Sequence, residues 1–432
     1  MSFYASVGYK FPLPNNATAD GSIILGSAMP MHQLLRRRRA HHPHMERLVF
    51  DPQLYMATLT VQQAQKQCLR LASYPWFGVE LPAYDSSQYS QKVWMANAEA
   101  QISTLWRAKP PSADHAVNKA VEEAIDFQVQ LGCEAIILPS PLTADPASSY
   151  DTELDWLDRG VAYCRSEHIG LPVYATIALA DLCIRYVDPT SNPLLDTIID
   201  AVSARGVNGV YIVVEQGGEP PDSRQCATKR TVWSALHMAH LMRIDCRIVP
   251  LANFFGGAGL LVSAASGGTW ASGWYKSLYR LRFADLAQGG RAYPMFWTHS
   301  CASDIHLEHD FDRIVAAGLL GLISDNTTAS HGLLAAAAQG VPVAGIPPWR
   351  FQQSNVETAA EHFYMSSLAA EQQLATLSSL QGRLDHVENW LTSAVLSCQR
   401  LAVAMGQGSK TRMSHVSAWH DALRAHRTTH QV

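Results

Sequence analysis

From Gly132 onward, short apolar runs rich in β-branched residues alternate with longer stretches of helical period. The candidate strands are Leu48–Phe50, Ala135–Leu138, Pro172–Ile177, Val210–Val214, Arg247–Leu251, Thr269–Ser272, Ala292–Trp297, Leu322–Ser324 and Val341–Ala344. Helical patterning falls at about 61–71, 91–106, 113–131, 152–167, 193–205, 227–242, 258–266, 310–317 and 331–339. Clean polar alternation is missing from the strand segments. A parallel sheet produces that pattern, because its crossover helices bury both faces.

The rhythm predicts an α/β fold with a (β/α)8 barrel-like core, an N-terminal extension and a C-terminal helical appendage. An open doubly wound sheet is the structural alternative. The barrel is preferred for its repeat number, and because no GxGxxG turn follows the first strand. Nine candidates exceed by one what a closed barrel uses, and Thr269–Ser272 is the weakest because the helix before it is short. The expected organisation is an extension over 1–47, a barrel over 48–350, helices over 351–405 and a polar tail over 406–432. Within the extension, Ile23–Leu25 reads as a short strand and Phe11–Asn16 as turns.

Composition narrows the class. The chain has 432 residues, 47% hydrophobic and only 16% charged, which suits a large buried core or a surface covered by another subunit. Lys and Arg number 33 against 37 Asp and Glu, a net charge of -4, so any nucleic-acid site must be local. The eight cysteines are scattered without a CxxC knuckle. With no signal peptide and no membrane span legible, the expected location is cytoplasmic, with free thiols.

In a barrel, the residues that end the strands form the active face. Asp51 closes Leu48–Phe50, Glu215 follows Val210–Val214 and Asp325 follows Leu322–Ser324. These are the candidate catalytic residues. Their structural alternatives are an Asp-Pro turn at Asp51 and a solvated or arginine-paired loop at Glu215. Two facing carboxyls would support a hydrolase or transferase acting on an O- or N-glycosidic bond, as in a sugar or nucleotide substrate. Asn253, Trp274, Tyr275, Lys276, Trp297 and Arg350 are the candidate substrate-binding residues, although aromatics also fill cores.

Three other features offer different chemistry. The loop from Thr298 to Asp310 gathers His299, Asp304, His306 and His309, which would hold a divalent metal in a metal-dependent barrel enzyme. Its alternative is acidic capping of the helix that follows. The stretch Asn253–Gly259 would hold a phosphate at a helix start, but no P-loop lysine and serine follow. Arg36, Arg37, Arg38, Arg39 and Arg47, with His41, His42 and His44, form the main basic patch. It would contact nucleic-acid phosphates or an acidic partner. The matching alternative function is a non-catalytic barrel subunit that binds a protein or nucleic-acid partner, or a second copy of itself. No GxSxG elbow supports a serine triad.

Overall fold

Strand β1 (Ser2–Val7) begins one residue into the chain and is buried along almost its whole length. It is followed by β2 (Gly21–Leu25), β3 (Leu48–Asp51), β4 (Ile136–Ile137), β5 (Val173–Leu179), β6 (Gly209–Val214), β7 (Val249–Asn253) and β8 (Thr269–Ser272). The computed structural model describes residues 1–8, 18–39, 47–81, 84–85, 90–220, 223–286, 293–350 and 356–432. All eight strands lie in one parallel sheet of order β3-β2-β1-β8-β7-β6-β5-β4. The two outer strands approach each other, and the Glu134 N–H donates to the Leu48 carbonyl at 2.8 Å. The result is a nearly closed eight-stranded parallel barrel of the TIM type.

The helices between strands are α1 (Met31–Arg39), α2 (Val61–Leu71), α3 (Gln91–Leu105), α4 (Asp114–Leu131), α5 (Asp151–Ser166), α6 (Leu182–Arg185), α7 (Pro193–Ser203), α8 (Lys229–Ile244) and α9 (Gly259–Ser266). After β8 come α10 (Lys276–Tyr279), α11 (Phe283–Leu286), α12 (Asp312–Ala316), α13 (His331–Ala338), α14 (Val356–Ala375), α15 (Leu380–Met405) and α16 (Ser414–His430). Local chemistry sets several boundaries. Thr60 and Gln63 form a reciprocal capping box at the start of α2. Gly132 stops α4 in a left-handed conformation with φ 75°. No helix among the described residues is long and apolar enough to cross a membrane.

The first two barrel strands come from the segment expected to be an extension. Ser2–Val7 mixes Phe, Tyr and Val with Ser and Ala, so it lacks the unbroken apolar run that marked the later strands. The turns expected at Phe11–Asn16 lie outside the described residues. The weak candidate Thr269–Ser272 is β8, paired to both β1 and β7. Three stronger-looking candidates are not barrel strands. Met295–Thr298 (β9) pairs antiparallel with Ser303–His306 (β10) in a separate hairpin. Leu320–Ile323 and Val343–Gly345 are 3₁₀ turns. A four-residue apolar run bounded by glycine looks the same whether it is a buried strand or a buried turn.

The C-terminal part covers the barrel rather than trailing from it. Helix α14 packs against β1, α9 and β9, where Phe363 and Tyr364 flank Phe3 at ring separations of 6.5 and 6.4 Å. Helix α15 packs on α9 and α16, and α16 packs on α8. The polar tail expected over 406–432 is therefore mostly the ordered helix α16. Its Val416, Trp419, Leu423 and His426 recur at helical spacing and are all buried. Trp419 donates its indole N–H to the Cys226 carbonyl at 2.6 Å, across the α8 side of the barrel. Trp419→Phe keeps an aromatic ring but removes the N–H half of the indole, stranding that carbonyl and leaving a small void, so it is expected to lower unfolding free energy by about 2–4 kcal/mol. Urea unfolding measures this; an unchanged midpoint would show that neither the bond nor the packing of this ring contributes.

Candidate active site at the barrel mouth

Four barrel strands deliver polar side chains into the lumen, Ser6, Asp51 and Asn253 from near strand C-terminal ends and Tyr211 from the middle of β6. The Tyr211 hydroxyl of β6 donates to Asp51 Oδ2 of β3 at 2.7 Å. Asn253 of β7 donates from Nδ2 to the Tyr211 hydroxyl at 2.7 Å, and Ser6 of β1 donates to Asn253 Oδ1 at 2.6 Å. From the loop after β3, the Tyr55 hydroxyl donates to Asp51 Oδ2 at 2.6 Å, and the Gln53 N–H donates to Oδ1 at 2.9 Å. All six residues are at most 2% exposed.

Burial pushes the Asp51 carboxyl up to about 6, against the opposing pull of the bonds from Tyr55, Tyr211 and Gln53. Near neutral pH this group can therefore both hold and release a proton. The same burial, and the carboxylate beside them, raise the Tyr55 and Tyr211 hydroxyls well above their ordinary value. Those two remain donors.

Two strand ends also carry unusual backbone. Gln53 has φ 54° and Phe254 has φ 67°, both left-handed conformations in non-glycine residues. Each costs on the order of 1–2 kcal/mol. Each sits beside a member of the network, and Phe254 N–H is held by Asn253 Oδ1 at 2.8 Å.

Above the network lies a cleft of about 850 Å³. It is lined by Gly8 after β1, Leu25 and Ser27 at the end of β2, Gln53 after β3 and Phe254 after β7. Tyr275, Leu278 and Leu281 wall one side, and Gln62, Lys66, Gln67 and Arg70 of α2 wall the other. Gln53 belongs to both cleft and network. Its Oε1 accepts from the Ser27 N–H at 2.7 Å, and its backbone N–H holds Asp51.

The other sequence candidates are placed as follows. Glu215 sits just past β6 at the same end of the barrel, half-buried, with Oε1 accepting weakly from the Phe283 N–H at 3.4 Å. Burial raises its pKa, and neighbouring Asp181 adds to the effect. Tyr275 lines the cleft. Lys276 joins Arg280 and Arg282 around Asp285, at 3.4, 3.1 and 2.6 Å. Trp274 is wholly buried beneath the Arg224 guanidinium, 5.0 Å from its ring centre.

Several candidates lie away from the mouth. Asp325 does not end a barrel strand, because the segment before it is a 3₁₀ turn. Its carboxylate accepts from the hydroxyls of Thr298 and Ser300, outside the barrel. Trp297 is buried in β9, edge-on to Phe363 of α14, and its carbonyl is bonded to His362 at 2.7 Å. Arg350 is exposed in the loop before α14. The three carboxylates therefore do not share one centre, and only Asp51 and Glu215 emerge at the same end.

The histidine loop disperses as well. His299 stacks on Trp390 at 4.7 Å. Asp304 is taken by Gln225 at 2.9 Å, Tyr279 at 3.1 Å and the Arg224 guanidinium at 3.5 Å. His306 and His309 pack ring to ring at 4.7 Å, with His309 exposed. These four form no metal-holding group. Their strand and π-turn conformations point them to different neighbours.

In the basic patch, Arg36 is exposed on α1 and Arg37 is half-buried. The side chains of Arg38 and Arg39, and residues 40–46 with His41, His42 and His44, lie outside the described residues. Arg47 is paired with Glu134 at 3.3 Å and donates to the Tyr4 hydroxyl at 2.9 Å, beside the N-terminal end of β3.

Tyr211, Tyr55, Ser6 and Gln53 were not among the sequence candidates. Tyr211 did carry a signal. A tyrosine inside the apolar run Gly209–Val214 must find a partner for its hydroxyl once buried. Comparison with known protein families finds no family model that matches the chain, and none of the curated proteins compared matches it.

Proposed function

We propose that the protein is a barrel enzyme, a hydrolase or transferase, whose reaction takes place in the cleft over β1, β2, β3 and β7. The observation that carries this reading is the Asp51 carboxyl, held inside the lumen by donors from β6 and the β3 loop and pushed up to about 6 by its burial. Barrels support many chemistries, so the site and not the fold must select one.

The cleft wall favours a hydroxyl-rich substrate. Gln62 and Gln67 offer amide donors and acceptors, and Tyr275 offers a ring face for a sugar or base. An O- or N-glycoside fits this set. In that reaction Asp51 gives its proton to the leaving group as the glycosidic bond breaks. Glu215, the second carboxyl at the mouth, takes the ionised role and activates water or an acceptor hydroxyl. Gln53, the residue shared by cleft and network, links Asp51 to the cleft.

A panel of aryl O-glycosides and nucleosides tests the reading. The expected result is turnover of one class with a bell-shaped pH profile. The rate should fall as pH rises through about 6, where Asp51 loses its proton. It should also fall on the acid side as Glu215 becomes protonated, above the ordinary glutamate range. Turnover with no alkaline limb near 6 would remove Asp51 from the acid role. Turnover of neither class would dismiss glycosidic chemistry.

A further inference from the structure

Away from the mouth, two helices press histidines together. Helix α8 presents His237 and His240, three residues apart, and α16 presents His426 and His430, four apart. Both spacings place a pair on one helix face. The two faces meet. His237 Nδ1 lies 3.1 Å from His430 Nε2. The His430 ring centre is 4.1 Å from that of His240 and 4.6 Å from that of His426, and the His240 and His426 centres are 5.0 Å apart.

The cluster leaves polar groups unsatisfied. His426 is wholly buried, and neither of its ring nitrogens has a hydrogen-bond partner. His240 is bonded to the Ala265 backbone, while its Nδ1 is buried without a partner. A buried donor or acceptor without a partner costs about 1–3 kcal/mol. Natural cores rarely keep such groups without a use for them. Holding one ring nitrogen with a backbone group, so that the other presents its lone pair, is how ligating histidines are oriented.

We propose that His237, His240, His426 and His430 form a binding site for one divalent transition-metal ion of the zinc class. Two nitrogens at tetrahedral positions, each about 2.0–2.1 Å from zinc, lie roughly 3.3 Å apart. The 3.1 Å between His237 and His430 matches that spacing. As packed, no three of the side chains yet converge as ligands. Turning the His426 ring about its Cβ–Cγ bond, with His240 kept on its Ala265 bond, is the adjustment that metal entry requires. A set made only of imidazoles suits zinc, copper or nickel and is poor for magnesium or calcium, which take oxygen ligands. A bound ion would tie α16 to α8.

The test uses the full chain, stripped with EDTA and titrated with zinc chloride by calorimetry. The expected result is one ion per chain at low micromolar affinity, with a higher Tm for the loaded protein. His430→Gln and His237→Gln keep side-chain bulk at the edge of the cluster. Each should weaken binding at least tenfold, while His115→Gln, at an exposed site on α4, should leave it unchanged. Saturable binding absent below about 100 µM zinc overturns the proposal. So does one-to-one binding that survives both cluster variants.

Discussion

Replacing Asp51 by Asn is expected to lower kcat by about 10²–10⁴-fold on whichever glycoside or nucleoside the enzyme turns over, the usual contribution of a positioned acid or base. The amide has the carboxyl's shape but cannot exchange a proton. The substitution also tests the network. Asn Oδ1 can take the position that accepts from Tyr55 and Tyr211. Its Nδ2 then faces the Gln53 N–H, so two donors meet where one accepted. The expected loss of stability is about 1–3 kcal/mol, small enough for the variant to stay folded. Steady-state kinetics beside urea unfolding separates the two effects. Full turnover in a folded Asp51→Asn protein would confine Asp51 to a structural role.

Glu371→Gln should act in the opposite direction, on stability alone. Glu371 of α14 is 2% exposed. It accepts from the Ser263 hydroxyl and the Trp270 indole N–H, both at 2.8 Å. Burial raises its pKa from 4.5 to about 7, although both bonds and the chain's amino terminus oppose the shift. Between those two values the folded protein keeps a proton that the unfolded chain has released. Stability is therefore full below about 4.5 and falls as pH rises through 7. The loss above that window is about 3 kcal/mol, 1.36 kcal/mol for each unit between 4.5 and about 7. Glutamine removes the charge and can satisfy the site. Its Oε1 accepts from Trp270, its Nε2 donates to Ser263 Oγ, and that hydroxyl turns to the Gly268 carbonyl at 3.2 Å. Urea unfolding at pH 5 and pH 8 should show the variant about 3 kcal/mol more stable than the parent at pH 8, with a gain of less than about 1 kcal/mol at pH 5. An identical pH slope in both proteins would refute the assignment.

The parts legible in the sequence were those with strong local pattern. Long apolar runs such as Val210–Val214 marked strands, and their ends pointed to Asp51, Glu215 and Asn253. Strand β1 was missed because its burial comes from pairing with β2 and β8, which no local window contains. Helix α16 was missed because its apolar stripe is narrow and set among many polar residues, so composition outweighed period. The late hairpin and 3₁₀ turns read as barrel strands in the sequence because short apolar runs do not distinguish a strand from a turn. At the site, the carboxyl was visible but its partners were not. Tyr211 and Asp51 lie 160 positions apart in the chain, and only closure of the barrel brings them together.

The pairing of β1 with β8 sets a condition on synthesis. Phe3 aligns with Trp270 and Ala5 with Ser272, so one side of the first strand has no neighbour until the ribosome has delivered the last. At typical elongation rates that interval is roughly 15–50 s. Throughout it the nascent chain displays an open row of amides and carbonyls, the kind of edge that recruits other strands. Refolding from denaturant faces the same long search, because loop closure must precede the contacts that reward it. Recovery of native protein should therefore improve on dilution, and molecules that shield unpaired strand edges should raise the yield.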